Sequence, residues 1–166
     1  MNSFFNSKTC CLKTLCLRLM DTILDEDTIL DKTAHPLLVV FINEDESEGR
    51  RGFSLGDPPS DSEILDRMVK WWQLGSRVQK WEKNPELQPK VLVGVALDPA
   101  HRIIIGAVKI DKILKSKEPD FYEVRTPEKP SLDAHQLRGR RLCADIKFGR
   151  PKTLNFRILP ARSDLG

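Results

Sequence analysis

Val91-Leu92-Val93-Gly94-Val95-Ala96-Leu97 and Arg102-Ile103-Ile104-Ile105-Gly106-Ala107-Val108-Lys109-Ile110 flank the tetrapeptide Asp98-Pro99-Ala100-His101. Both flanks are apolar and rich in β-branched residues, and Asp followed by Pro suits the first two positions of a type I turn. The pattern predicts an antiparallel hairpin. Each strand carries an interior glycine, Gly94 and Gly106, where a bulge or a bend of the sort that closes a barrel is expected.

Upstream, Ser60 with Glu63 three residues on has the form of a capping box. Ile64, Leu65, Met68, Val69 and Trp72 then recur at helical spacing, and Gly75 supplies the left-handed residue that ends helices. A second short helical turn is predicted around Val78 and Trp81, before Pro85. Leu37-Leu38-Val39-Val40-Phe41-Ile42, between Pro36 and Glu44-Asp45-Glu46, reads as a buried strand. Asn43 to Ser60 is a long loop. Further strands are predicted over Phe121–Arg125, Arg141–Ile146 and Thr153–Leu159. Six strands and one principal helix make a small α+β domain over residues 34–166. Residues 1–33, with Leu12, Leu15, Leu19, Ile23 and Leu24 at helical spacing, read as an N-terminal extension, amphipathic or loosely ordered.

A chain of 166 residues, 40% apolar and 31% charged, supports one ordinary core and is not disordered throughout. No apolar run reaches the ~18–20 residues of a membrane span, so no membrane partner is expected. Four cysteines, three of them Cys10, Cys11 and Cys16, form neither a disulfide framework nor a zinc spacing. Lys13 and Arg18 interrupt any signal-peptide core, and the expected location is cytoplasmic with reduced thiols.

The net charge of +3 conceals a division: residues 1–66 hold 6 Lys/Arg against 13 Asp/Glu, and residues 67–166 hold 21 against 11. The two parts carry −7 and +10. The concentration is greatest at the C-terminus, where Arg138, Arg140, Arg141, Lys147, Arg150, Lys152, Arg157 and Arg162 face only Asp145 and Asp164. Such a bias favours phosphate backbones, although a solvated basic surface has the same composition. Arginine's forked donors match phosphate oxygens bidentately. Trp71, adjacent to the core residue Trp72 on the predicted helix, points about 100° away from it. It is therefore the candidate for stacking on a base, beside Arg77 and Lys109 near a groove, or else it covers the helix–sheet seam.

The expected function is a non-enzymatic nucleic-acid-binding module without a cofactor, DNA and RNA being equally open. Two alternatives stand beside it. Pro119-Asp120 with Asp145-Ile146-Lys147 has the outline of a PD-(D/E)xK nuclease, in which two carboxylates hold Mg²⁺ and the lysine assists the attacking water. The acidic 21–66 segment also suits a protein-interaction or regulatory role. His35, His101 and His135 are isolated, and no activated nucleophile pair or phosphate-cradling glycine loop is present.

The succession Trp71-Trp72-x-Leu74-x-x-Arg77, Val91–Val95, Gly106-Ala107-Val108-Lys109-Ile110-Asp111 and Leu137-x-Gly139-Arg140-Arg141 resembles a group of small bacterial proteins of unassigned function, over about residues 37–159. Its hairpin and helix also resemble the PUA-like β-barrels, which include RNA-binding and modified-base-binding modules. That resemblance implies a small, partly closed antiparallel or mixed barrel. The chain departs from the group after Asp111-Lys112, where Ile113-Leu114 stand in place of a bulky aromatic.

Overall fold

A computed structural model of the chain describes residues 23–24, 28–29, 33–43, 57–70, 72–98, 101–143 and 156–159. Its elements are β1 (Ile23–Leu24), β2 (Leu37–Asn43), α1 (Asp61–Val69), α2 (Arg77–Lys83), β3 (Val91–Asp98), β4 (His101–Lys109), β5 (Lys112–Lys115), β6 (Tyr122–Arg125), β7 (Arg141–Leu142) and β8 (Phe156–Leu159). Short 3-10 turns lie at Pro85–Leu87 and Ala134–Gln136.

The hairpin forms as its sequence predicts, with Asp98 opposite His101. Strand β2 joins it in parallel, Leu37 opposite Val91 through Asn43 opposite Leu97. A parallel neighbour demands a long crossover, and the chain between β2 and β3 supplies it with both helices. The sheet order is β1-β7-β4-β3-β2-β8, with β5 and β6 forming a separate two-stranded ribbon. The main sheet is mixed and curls into a half-barrel. Its outer strands β1 and β8 do not pair with each other among the described residues, so the barrel is open there.

Both faces of this sheet are buried, which is why β2 reads as an unbroken apolar run. Leu38, Val40, Ile42, Leu92 and Ala96 face α1 and α2, where they meet Ile64, Met68, Val78 and Trp81. The alternate residues Leu37, Val39, Phe41, Val91, Val93 and Val95 face the opposite side with Leu137, Leu142 and Leu159. Leu24 and Ile29 are fully buried in that second cluster. Strand β1 reaches it by pairing in parallel with Arg141 and Leu142. One helical turn later, the Thr33 hydroxyl donates to the Ile29 carbonyl at 3.0 Å.

The expected irregularity falls at the glycines. Gly94 pairs with Gly106, yet Val95 pairs with Ile104, so Ile105 is an extra residue on β4. Because side chains alternate with period two, one inserted residue exchanges the faces beyond it. Ile104 and Ala107 therefore share the far cluster, while Ile105, Val108 and Ile110 lie beneath the helices. The glycines themselves make room for α1. A Cβ on Gly94 would lie 2.7 Å from Met68 Cγ and Sδ, and one on Gly106 would lie 2.9 Å from Leu132 Cδ2 and 3.0 Å from Met68 Sδ.

Helix α1 begins as predicted: the Ser60 amide donates to Glu63 Oε2 at 2.8 Å, and the Glu63 amide to Ser60 Oγ at 3.4 Å. Its end differs from the expectation of a helix running towards Gly75. Lys70 is already extended, and Trp72 forms a bridge with Tyr122 through two backbone hydrogen bonds of 3.1 and 3.0 Å. The Trp72 indole then donates to the Met68 carbonyl at 2.6 Å, satisfying one of the acceptors that a helix end leaves open. Trp72 is core as expected, but it sits in an extended segment. Gly75 does adopt a left-handed φ of +58°, in the turn before α2. The short second turn predicted around Val78 and Trp81 forms as α2, beside the principal helix α1. Strands β1 and β5 have no counterpart among the six predicted.

If Met68 fills the space above the paired glycines, Gly94→Ala should lower stability by about 1–3 kcal/mol through overpacking. The same substitution should cost clearly less in a Met68→Ala background, as measured by chemical denaturation in a double-mutant cycle. Equal costs in the two backgrounds would refute that seating.

Candidate nucleic-acid interface

The Leu137-x-Gly139-Arg140-Arg141 segment meets β4 at its bulged half. Leu137 is fully buried in the far cluster and anchors the segment. Gly139 is buried with φ +83°, a conformation that favours glycine, and its amide donates to the Ile104 carbonyl at 2.8 Å. Ile104 returns the bond to the Arg140 carbonyl, also at 2.8 Å, and Arg141 then pairs with Ile103. Motif residues that read as a basic run are thus laid along the edge of β4 by a left-handed glycine and a buried leucine.

This register brings in a residue that the sequence did not single out. Arg102 stands next to Ile103 on β4, and its Nη1 donates to the Cys143 carbonyl at 3.3 Å, just beyond β7. Arg140 is steadied in a similar way, its Nε donating to the Gln136 carbonyl at 2.8 Å. Gln136 and His135 both have left-handed backbones, φ 55° and 59°. Arg102, Arg140 and Arg141 are all half-buried at this junction. Main-chain acceptors hold two of the three side chains in place. Such anchoring restricts the rotamers of both side chains.

Arg138 has another partner. Its Nη2 and Nη1 contact the two carboxylate oxygens of Asp61 at 2.6 and 3.2 Å, a forked pair on the first residue of α1. Its amide donates to Asp133 Oδ1 at 3.1 Å. With a side chain 12% exposed against 66% for Asp61, Arg138 ties the loop before β7 to the start of α1.

The remaining predicted residues are dispersed. Arg77 opens α2 on the helix-bearing face. Lys109, two residues beyond Ala107, belongs by alternation to the opposite face and is exposed. Arg157 lies on β8, paired with Val39 and separated from β7 by β4, β3 and β2. At strand spacings of ~4.8 Å, that is about 19 Å along the sheet. Trp71, Lys147, Arg150 and Lys152 lie outside the described residues. So does Asp145, whereas Asp120 is exposed in the turn between β5 and β6 with φ 68°. Among the described residues no group of three or more His, Cys, Asp or Glu side chains is arranged to hold a metal ion. Cys143 is half-buried. No helix among the described residues is long and apolar enough to cross a membrane.

Set against known protein families, curated proteins and solved structures, the chain matches none.

Arg138→Lys keeps the charge but loses the fork that spans both Asp61 oxygens. It should lower stability by about 0.5–1 kcal/mol, the modest value reflecting the exposure of Asp61. The denaturation midpoint reads this directly, and an unchanged midpoint would show that the pair does not tether α1.

Proposed function

We propose that this protein is a non-enzymatic nucleic-acid-binding module on a PUA-like half-barrel, and that the arginines at the β4–β7 junction take up backbone phosphates. The observation that carries the reading is that backbone pairing brings Arg102 beside the Arg140–Arg141 segment from far away in sequence, with main-chain carbonyls steadying Arg102 and Arg140 while Arg141, opposite Ile103, lies by alternation on the other face. Guanidinium groups held in this way present forked donors to phosphate oxygens. Arg150 and Lys152 follow β7 in the chain and join the reading on sequence grounds. Arg138 serves the fold, through Asp61. Phosphate contacts position a strand without reading its bases, so the proposal concerns affinity and leaves base preference to other residues. No metal or cofactor enters it.

Binding of this kind releases counterions, and its affinity falls linearly on a logarithmic salt scale. Fluorescence anisotropy with labelled single-stranded and duplex oligonucleotides, titrated at several salt concentrations, should show that slope. Arg140→Gln/Arg141→Gln should weaken binding and flatten the slope by about 1.4–1.8, at ~0.7 per phosphate contact for single strands or ~0.9 for duplex. Salt-independent binding, or a slope unaltered in the double variant, would overturn the assignment. Cleavage of the probe in Mg²⁺ would instead favour the nuclease alternative.

A further inference from the structure

The opposite end of β4 carries a second concentration of positive charge, assembled by backbone pairing from four segments. Lys90 precedes β3, and its carbonyl accepts from the Ile110 amide at 2.8 Å. Lys109 is the last residue of β4, opposite Val91. The Asp111 amide donates to the Arg125 carbonyl at 2.8 Å, drawing the β5–β6 ribbon onto this rim. Within the ribbon, Lys112 stands directly opposite Arg125. Like charges in directly opposed cross-strand positions repel, and an anion shared between them offsets that repulsion. Lys90, Lys109, Lys112 and Arg125 are all exposed, and none forms an ion pair with another described residue. Asp111 is the carboxylate beside them.

The rim and the arginine junction are the two ends of one strand. From Ile103, which pairs with Arg141, to Lys109 is six residues, or about 20 Å at ~3.3 Å each. The far face of β4 between them is roofed by the segment around Ala134 and Leu137, both packed in the far cluster. Asp133, the carboxylate on this route, already accepts the Arg138 amide.

We propose, resting on the reading above, that Lys90, Lys109, Lys112 and Arg125 form a second phosphate subsite. The preferred ligand is then one continuous nucleic-acid strand long enough to reach both ends of β4. A stacked strand rising ~3.4 Å per nucleotide covers about 20 Å in ~6 nucleotides, and a more extended strand covers it in fewer. A ligand of two or three nucleotides reaches only one subsite.

The test compares labelled oligothymidylates of ~3 and ~12 nucleotides, lengths that bracket the span of a small single-strand site. The wild-type protein should bind the longer one at least about tenfold more tightly. Lys109→Gln/Lys112→Gln/Arg125→Gln should remove that advantage and flatten the salt slope for the long probe by about 2, at ~0.7 per lost contact, while the short probe, which the arginine junction still holds, loses no more than about twofold. Lys109→Arg/Lys112→Arg, with the charge retained, should bind as the wild type does, which separates charge from any loss of folding. The inference is overturned if the wild type binds the long probe with a normal salt slope and the triple glutamine variant binds it equally well. Absence of salt-dependent binding to either probe in the wild type overturns the nucleic-acid reading itself.

Discussion

Met68 lies across two glycines that face each other on neighbouring strands, and the relation of helix to sheet depends on that contact. A side chain at either glycine would occupy the space of the Met68 thioether, so α1 can approach the hairpin only where both positions lack a Cβ. The same place on β4 holds the bulge, whose extra residue exchanges the faces beyond it. Val108 and Ile110 consequently lie under the helices, and Lys109 emerges on the other side. One irregularity thus serves packing and charge placement together: without it, the basic residue at the end of β4 would be directed towards the core that α1 and α2 cover.

The arginines before β7 divide their roles according to what lies within reach. Arg138 precedes the left-handed Gly139 and meets Asp61 on α1, tying helix to loop. Past that glycine, Arg140 and Arg141 run along the edge of β4, where main-chain groups supply the order. Three residues of one chemical type within four positions therefore split between structure and a candidate binding surface. Their count alone overstates the charge on offer to a ligand.

Much of the local structure was legible. The capping box at Ser60, the hairpin about Asp98–His101 and the buried strand from Leu37 all rest on short-range chemistry, and each stands where its residues indicate. Legibility failed where a partner distant in the chain decides. The apolar period continues through Trp72, but Tyr122 takes up its backbone groups and ends the helix near Val69. Strand β1 is two residues long and exists only against β7, so it has no periodicity of its own to read. Arg102 appeared as the start of a strand because its carbonyl partner, Cys143, lies 41 positions later.

Charge illustrates the same division. Composition by itself determined that the excess of positive charge lies from residue 67 onward, since the count of Lys and Arg there depends on the sequence alone. It also determined the α+β class, through periods of two and of 3.6 residues that any folded form must bury. Only the tertiary structure decided which cations share a surface. Backbone pairing, the bulge and the Asp61 contact distribute them between two ends of β4, the start of α2 and the β8 edge. The physical reason is that hydrophobic periodicity is a property of neighbours along the chain, whereas strand register and side-chain partners are properties of neighbours in space.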